Sequence, residues 1–146
     1  MKCLLDSNIL LRMVFKSDPH SFLVRRAIRR LKRQGVLLYI LPQNLTEFWN
    51  VATRPTTARG GYGRTPQEAR ELVKNLLRRV KLIDEPPQTI QRWLRLVTQH
   101  NVSGVQVHDA RLAAGMHSAG ITHLLTLNVN DFGRYRNITP IHPQDV

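Results

Sequence analysis

The chain opens on an apolar run, Cys3-Leu4-Leu5, broken by Asp6, Ser7 and Asn8 and resumed by Ile9-Leu10-Leu11. This pattern predicts a buried strand that ends in a carboxylate and turns into a helix. Asp18-Pro19 marks the next helix start, with Asp as N-cap and Pro at the first helical position. That helix runs through 21–34, with Leu23, Val24, Ala27, Ile28 and Leu31 as its apolar stripe and Gly35 as its stop. Its outward face carries Arg25, Arg26, Arg29, Arg30, Lys32 and Arg33, which suits contact with RNA and equally suits a solvated surface. Residues 36–41, VLLYIL, form an unbroken apolar run of strand length that Pro42 ends. A helix follows from Gln43 to Arg54, with Leu45, Phe48, Trp49 and Ala52 on its apolar side and Glu47 off it.

Residues 54–64, RPTTARGGYGR, are a glycine-rich basic loop. Arg54, Arg59 and Arg64 could hold phosphates there, and Tyr62 could stack on an unpaired base; a loop without a ligand is the competing reading. Thr65-Pro66-Gln67-Glu68 is a capping box that opens a helix to about Val80. KLID, 81–84, predicts a short strand, and a helix over 89–100 presents Ile90, Trp93, Leu94 and Val97. Asp109 opens a helix of small residues, and Leu112, Ala113 and Met116 share its face. Leu124 to Leu127 is the last central strand, and Pro140 demotes 138–141 to an edge strand. Strands alternating with helices predict an α/β fold with a mainly parallel sheet. No repeat or linker interrupts the chain, so a single domain over 1–146 is expected.

Charge changes the picture. Lys and Arg number 22 against 10 Asp and Glu, a formal charge of +12. Such a balance points to a polyanionic partner, most simply nucleic acid. No apolar run approaches the ~18 residues of a membrane span, and the first residues lack a signal-peptide pattern. With a single cysteine, Cys3, these features lead us to expect a cytoplasmic protein.

Few acids are present, and Asp6, Glu47 and Asp109 fall where strands end or where a helix turns an apolar face. Asp6 alone could simply cap the next helix, and Glu47 could simply face solvent. Brought together, the three would raise one another's pKa values unless a cation sat between them. Hard oxygen ligands of this kind suit Mg²⁺ or Mn²⁺. An acidic metal pocket on a basic chain suggests cleavage of a nucleic-acid backbone. Asp131 either joins the group or serves as a turn residue before Phe132. His108 and His117 lack a further His or Cys at metal spacing and are expected to be packing or surface groups.

DSNIL at 6–10, TEFWNVATRP around Glu47, HDARLAA at 108–114 and TLNVNDF at 126–132 together resemble the ordered signature of PIN-domain ribonucleases. They most resemble the VapC-type toxins of bacterial toxin–antitoxin pairs. The resemblance implies a three-layer α/β/α sandwich and Mg²⁺- or Mn²⁺-dependent endonuclease action on RNA. It also implies a homodimer restrained by a cognate antitoxin. Asp6, Glu47 and Asp109 match the family's metal-binding acids, with Asp131 as a further catalytic candidate. The family often has another acid near the end of the last strand; Asn128 stands there instead, able to hold a water or substrate, as Asn8 could. A non-catalytic basic nucleic-acid-binding module is the alternative. A receiver-like phosphoacceptor is disfavoured by the lack of any lysine beyond Lys81.

Overall fold

The computed structural model describes residues 1–146. Five strands, β1 (Lys2–Leu5), β2 (Leu37–Ile40), β3 (Lys81–Leu82), β4 (His123–Leu125) and β5 (Thr139–Ile141), form one sheet in the order β3-β2-β1-β4-β5. Every pairing is parallel. The six helices are α1 (Ser7–Val14), α2 (Ser21–Arg33), α3 (Pro42–Thr53), α4 (Pro66–Leu77), α5 (Thr89–Gln99) and α6 (Val107–Ala119). The predicted three-layer α/β/α sandwich is therefore the observed one.

Side-chain alternation along the central strands feeds two cores. Cys3 and Leu5 of β1, with Leu38 and Ile40 of β2, pack into the layer of α1 to α4. Leu4, Tyr39 and Leu124 point the other way, into the layer of α5 and α6. On α2, Val24, Ala27, Ile28 and Leu31 are buried. Burying each of the larger three contributes about 1.5–3 kcal/mol, which holds a helix whose other face is crowded with like charge. Against the other side of the sheet, α6 lays Ala110, Ala113, Ala114 and Gly115. A Cβ on Gly115 would stand 2.7 Å from the Leu41 Cδ1, so α6 packs closely against that side chain.

The chain moves outward from β1 in both directions, to β2 and β3 on one side and to β4 and β5 on the other. The point between β1 and β4, where the direction reverses, is where open parallel sheets leave a crevice at their carboxyl ends. Asp6 and Thr126 are the residues that follow those two strands.

Three local expectations need correction. Asp18 does not cap α2; the helix begins at Ser21 after His20, and the Asp18 carboxylate instead accepts the His20 N–H at 2.9 Å. The stripe on α5 is not core throughout: Ile90 is 54% and Leu94 60% exposed, because α5 packs on α6 through Trp93, Leu96 and Val97. The strand placed over 124–127 runs His123–Leu125; beyond it the Thr126 N–H still donates to the Ile141 carbonyl at 3.0 Å, while its hydroxyl turns to Asp6.

Candidate active site

Asp6 is fixed from several directions. Its N–H donates to the Leu125 carbonyl at 3.0 Å, extending the β1–β4 ladder by one bond. Its Oδ1 accepts the Ser7 N–H at 2.7 Å, capping α1. Its Oδ2 accepts the Thr126 hydroxyl at 2.6 Å and the Asn8 amide at 3.0 Å. Capping and facing the crevice are thus not alternatives for Asp6, which does both. The side chain is almost wholly buried, and burial pushes its carboxyl above the usual range. Thr126 opposes that rise, and the nearby charge of Glu47 adds to it.

Glu47 lies in α3, which starts directly after β2, and its side chain is drawn toward Asp6 rather than solvent. Ser7 Oγ donates to its Oε2 at 2.8 Å. Gln43, one turn earlier, donates to its Oε1 at 2.7 Å and to the His108 carbonyl at 2.8 Å, tying α3 to the start of α6. Asp109 follows in the first turn of α6. Burial, then the charges of Asp6, Asp131 and Glu47, push its carboxyl up to about 7, with Arg134 alone opposing. Four acids from distant parts of the sequence therefore feel one another.

Asp6, Glu47 and Asp109 line one cavity of about 710 Å³. Asn8 and Arg12 of α1, Asn50 of α3, Arg54 and Arg59 of the following loop, and Asn128 line it too. Asp131 does not; it is exposed in the short 3-10 turn Val129–Phe132 and lines a neighbouring cavity with Asn128 and His142. The structure gives other partners to two of the loop residues. Tyr62 reaches the cavity wall, but its ring stacks on Phe15 at 3.9 Å and its hydroxyl donates to Asp18. Arg64 pairs with Glu68 and lies over the Phe15 ring, outside the cavity. Arg111 lines the cavity but is held in a two-point pair with Glu85.

No three Asp, Glu, His or Cys side chains converge closely enough to cage a metal ion directly. The donor set still fits a hard divalent cation that keeps several of its waters. Burial first, and then the neighbouring acids, push the Asp109 carboxyl up, and a cation among the acids would relieve their mutual repulsion. Sequence reasoning had marked the acids but missed Ser7, Gln43, Thr126 and Arg12 as site residues. Gln43 and Arg12 had a findable signal, lying one helical turn from Glu47 and Asn8 respectively. Ser7 and Thr126 had only their places beside strand ends.

A parallel sheet with an acidic crevice at its reversal point defines an α/β protein that binds its ligand at the carboxyl ends of the strands. The PIN domain family model matches residues 3–137, and the chain belongs to the PIN-domain family. No curated protein matches the sequence. Among solved structures, a chain of VapBC2 from Rickettsia felis, bound to a DNA fragment from their promoter, superposes with a TM-score of 0.71 at 16% identity, covering 97% of this chain and 98% of that one. DNA-bound VapBC from Salmonella typhimurium gives 0.68 at 18% identity, with 98% of each chain covered. VapC20 from Mycobacterium tuberculosis, a Sarcin-Ricin loop cleaving toxin, gives 0.58 at 14% identity over 84% of this chain and 86% of that one. At these identities the likeness is one of fold.

Proposed function

We propose that this chain is a metal-dependent endoribonuclease of the VapC toxin kind. The observation that carries the reading is the meeting of Asp6, Glu47 and Asp109 in one cavity, inside a chain of net charge +12. A cavity this acidic repels phosphate unless a cation is present, and the basic surface around it attracts phosphate. Family membership supports nuclease chemistry on RNA, and the toxin–antitoxin complexes among the structural neighbours support a cognate antitoxin and a cytoplasmic setting.

In this reading Asp6 and Asp109 hold a Mg²⁺ or Mn²⁺ ion, with Glu47 acting directly or through water. An ion held there would supply Lewis-acid chemistry, acidifying a water and withdrawing charge from the phosphate oxygens. Thr126, Ser7 and Asn8 keep the Asp6 carboxylate at a fixed angle, so no side-chain reorganisation is needed when RNA arrives. Ser7 and Gln43 do the same for Glu47. Arg54 and Arg59 hold phosphates flanking the one attacked, and Asn8 and Asn128 hydrogen-bond sugar or base edges. Asp131 acts through its charge on Asp109 rather than from within the cavity. The protein works as a homodimer, and the antitoxin silences it by covering the cavity with a cationic side chain.

The test is RNA incubated with the purified chain in Mg²⁺ or Mn²⁺, in chelator, and with Asp6→Asn and Asp109→Asn. Cutting that needs the metal and vanishes in both variants is expected. Equal cutting in chelator or by the variants would show that the metal reading, or the activity itself, is wrong. Addition of the antitoxin is expected to suppress cutting.

A further inference from the structure

One acid close to the cavity is not part of its carboxylate group. The Asp18 side chain is 11% exposed, and its Oδ2 is shared between two residues that line the cavity. The Tyr62 hydroxyl donates to it at 2.9 Å, and Arg12 Nε stands 3.3 Å away. The other oxygen accepts the His20 N–H at 2.9 Å. Burial pushes the Asp18 carboxyl up, but the His20 N–H, the Tyr62 hydroxyl and Arg12 outweigh it and hold it below its ordinary range. It is a fixed negative charge at neutral pH.

What this charge holds is the closing end of the loop between α3 and α4. Tyr62 stacks on Phe15 with the rings 9° from parallel, and the backbone N–H groups of Tyr62, Gly63 and Arg64 donate to carbonyls of Val51, Arg54 and Ala52. Gly61 passes so close to the Arg54 and Pro55 carbonyls that a Cβ would meet each at 2.4 Å. Closure is paid at Arg59, whose φ of +34° lies in the region that favours glycine. The Arg59 carbonyl accepts the Arg54 guanidinium at 3.1 Å. Arg59 has no carboxylate partner and lines the cavity of Asp6 and Asp109. A cation on a loose loop loses freedom when it grips a phosphate; one on a clamped loop has lost it already.

We propose that Asp18, itself held by Arg12 of α1, is a positioning residue for nucleic acid: through Tyr62 it clamps the 54–64 loop, so that Arg59 is held ready to grip a phosphate beside the acidic cavity. This rests on the nucleic-acid reading of that cavity, and not on cleavage.

The experiment uses the full chain carrying Asp109→Asn, which lowers the negative charge of the cavity and allows binding without metal. Affinity for a randomised-sequence RNA oligonucleotide is measured by fluorescence anisotropy with Asp18→Asn, Tyr62→Phe and Arg59→Gln added singly, and with Asp18→Asn and Arg59→Gln together. Hydrogen exchange of the amides over 56–61 is read in the same proteins. Each single change is expected to weaken binding about three- to tenfold. Asp18→Asn and Tyr62→Phe are expected to speed loop exchange, and Arg59→Gln to leave it unchanged. The pair together should lose little more than Arg59→Gln alone, since both act through one grip. Full additivity of the pair, or unchanged loop exchange in both clamp variants, overturns the proposal, as does an Arg59→Gln chain that binds normally. Loss of the nuclease reading would appear elsewhere, as equal cutting by wild type and Asp109→Asn.

Discussion

The Thr126 hydroxyl donates to Asp6 Oδ2 at 2.6 Å, joining the ends of two neighbouring parallel strands through a buried side-chain pair. Thr126 also accepts the Asn128 N–H at 3.0 Å and the Asn8 amide at 3.3 Å. It is the hub on which the walls of the crevice meet. Thr126→Val keeps the shape and removes the donor, leaving a buried carboxylate short of a partner. A loss of about 1–3 kcal/mol is expected in urea unfolding at neutral pH. Thr126→Ser should recover most of it, because the hydroxyl returns. If Val and Ser variants unfold alike, the hydrogen bond contributes nothing.

Asp109 gives a pH dependence of opposite sign to that of a salt-bridged acid. Its carboxyl is pushed up to about 7, so between its ordinary value of 3.8 and that point the folded chain binds more protons than the unfolded one. Stability of the metal-free protein therefore falls as pH rises across this window, and the protonated form is the favoured one. Asp109→Asn, which is never charged, is expected to raise the melting temperature by a few degrees at pH 8 and to make little difference near pH 4. Metal binding requires the ionised form, so affinity for Mn²⁺ should fall as pH drops below about 7. A melting temperature that Asp109→Asn lowers at pH 8 would show that the acids do not strain the fold.

The apolar runs make the sheet legible in the sequence, because a parallel strand buried on both faces has no polar positions to confuse it. Asp6 stood out for the same reason: a carboxylate abutting such a run must have partners. At Asp18 the structure departs from the sequence pattern for a physical cause. Asp followed by Pro is the usual opening of a helix, yet here the carboxylate is drawn to Arg12 and Tyr62, and only one of those is nearby in sequence. Tyr62 could not be placed either, since its stacking on Phe15 joins two loops across the first core. On α5, the apolar period showed that a stripe exists but not how wide a neighbour would cover it.

Two glycines make close approaches, and the structure ranks them. At Gly61 the obstacle to a Cβ is backbone, the carbonyls of Arg54 and Pro55, which cannot yield without opening the loop. At Gly115 it is the tip of the Leu41 side chain, which can rotate, and α6 gains about 1 kcal/mol of helix propensity from alanine. Gly61→Ala is expected to cost about 1–3 kcal/mol and to loosen the basic loop. Gly115→Ala should fall near zero. Chemical denaturation of the two variants side by side checks the order; the reverse ranking would refute it.

Few of the 22 lysines and arginines are neutralised within the molecule. Arg12, Arg64, Lys74 and Arg111 pair with carboxylates, and the rest of the basic surface is left to counterions. RNA binding should therefore weaken steeply as salt rises, through counterion release. The steepness sorts the cavity arginines by role. Arg54 and Arg59 lack carboxylate partners, so replacing either with Gln should reduce the slope of log K against log salt by about 0.7, the value for one contact to a single strand. Arg111 is already matched by Glu85 at 3.0 and 3.1 Å. Arg111→Gln exposes the charge of Glu85 and lowers affinity, but it removes no phosphate contact and should leave the slope as it was. A slope that drops for Arg111 and not for Arg59 would move the strand's path to the α6 side of the cavity.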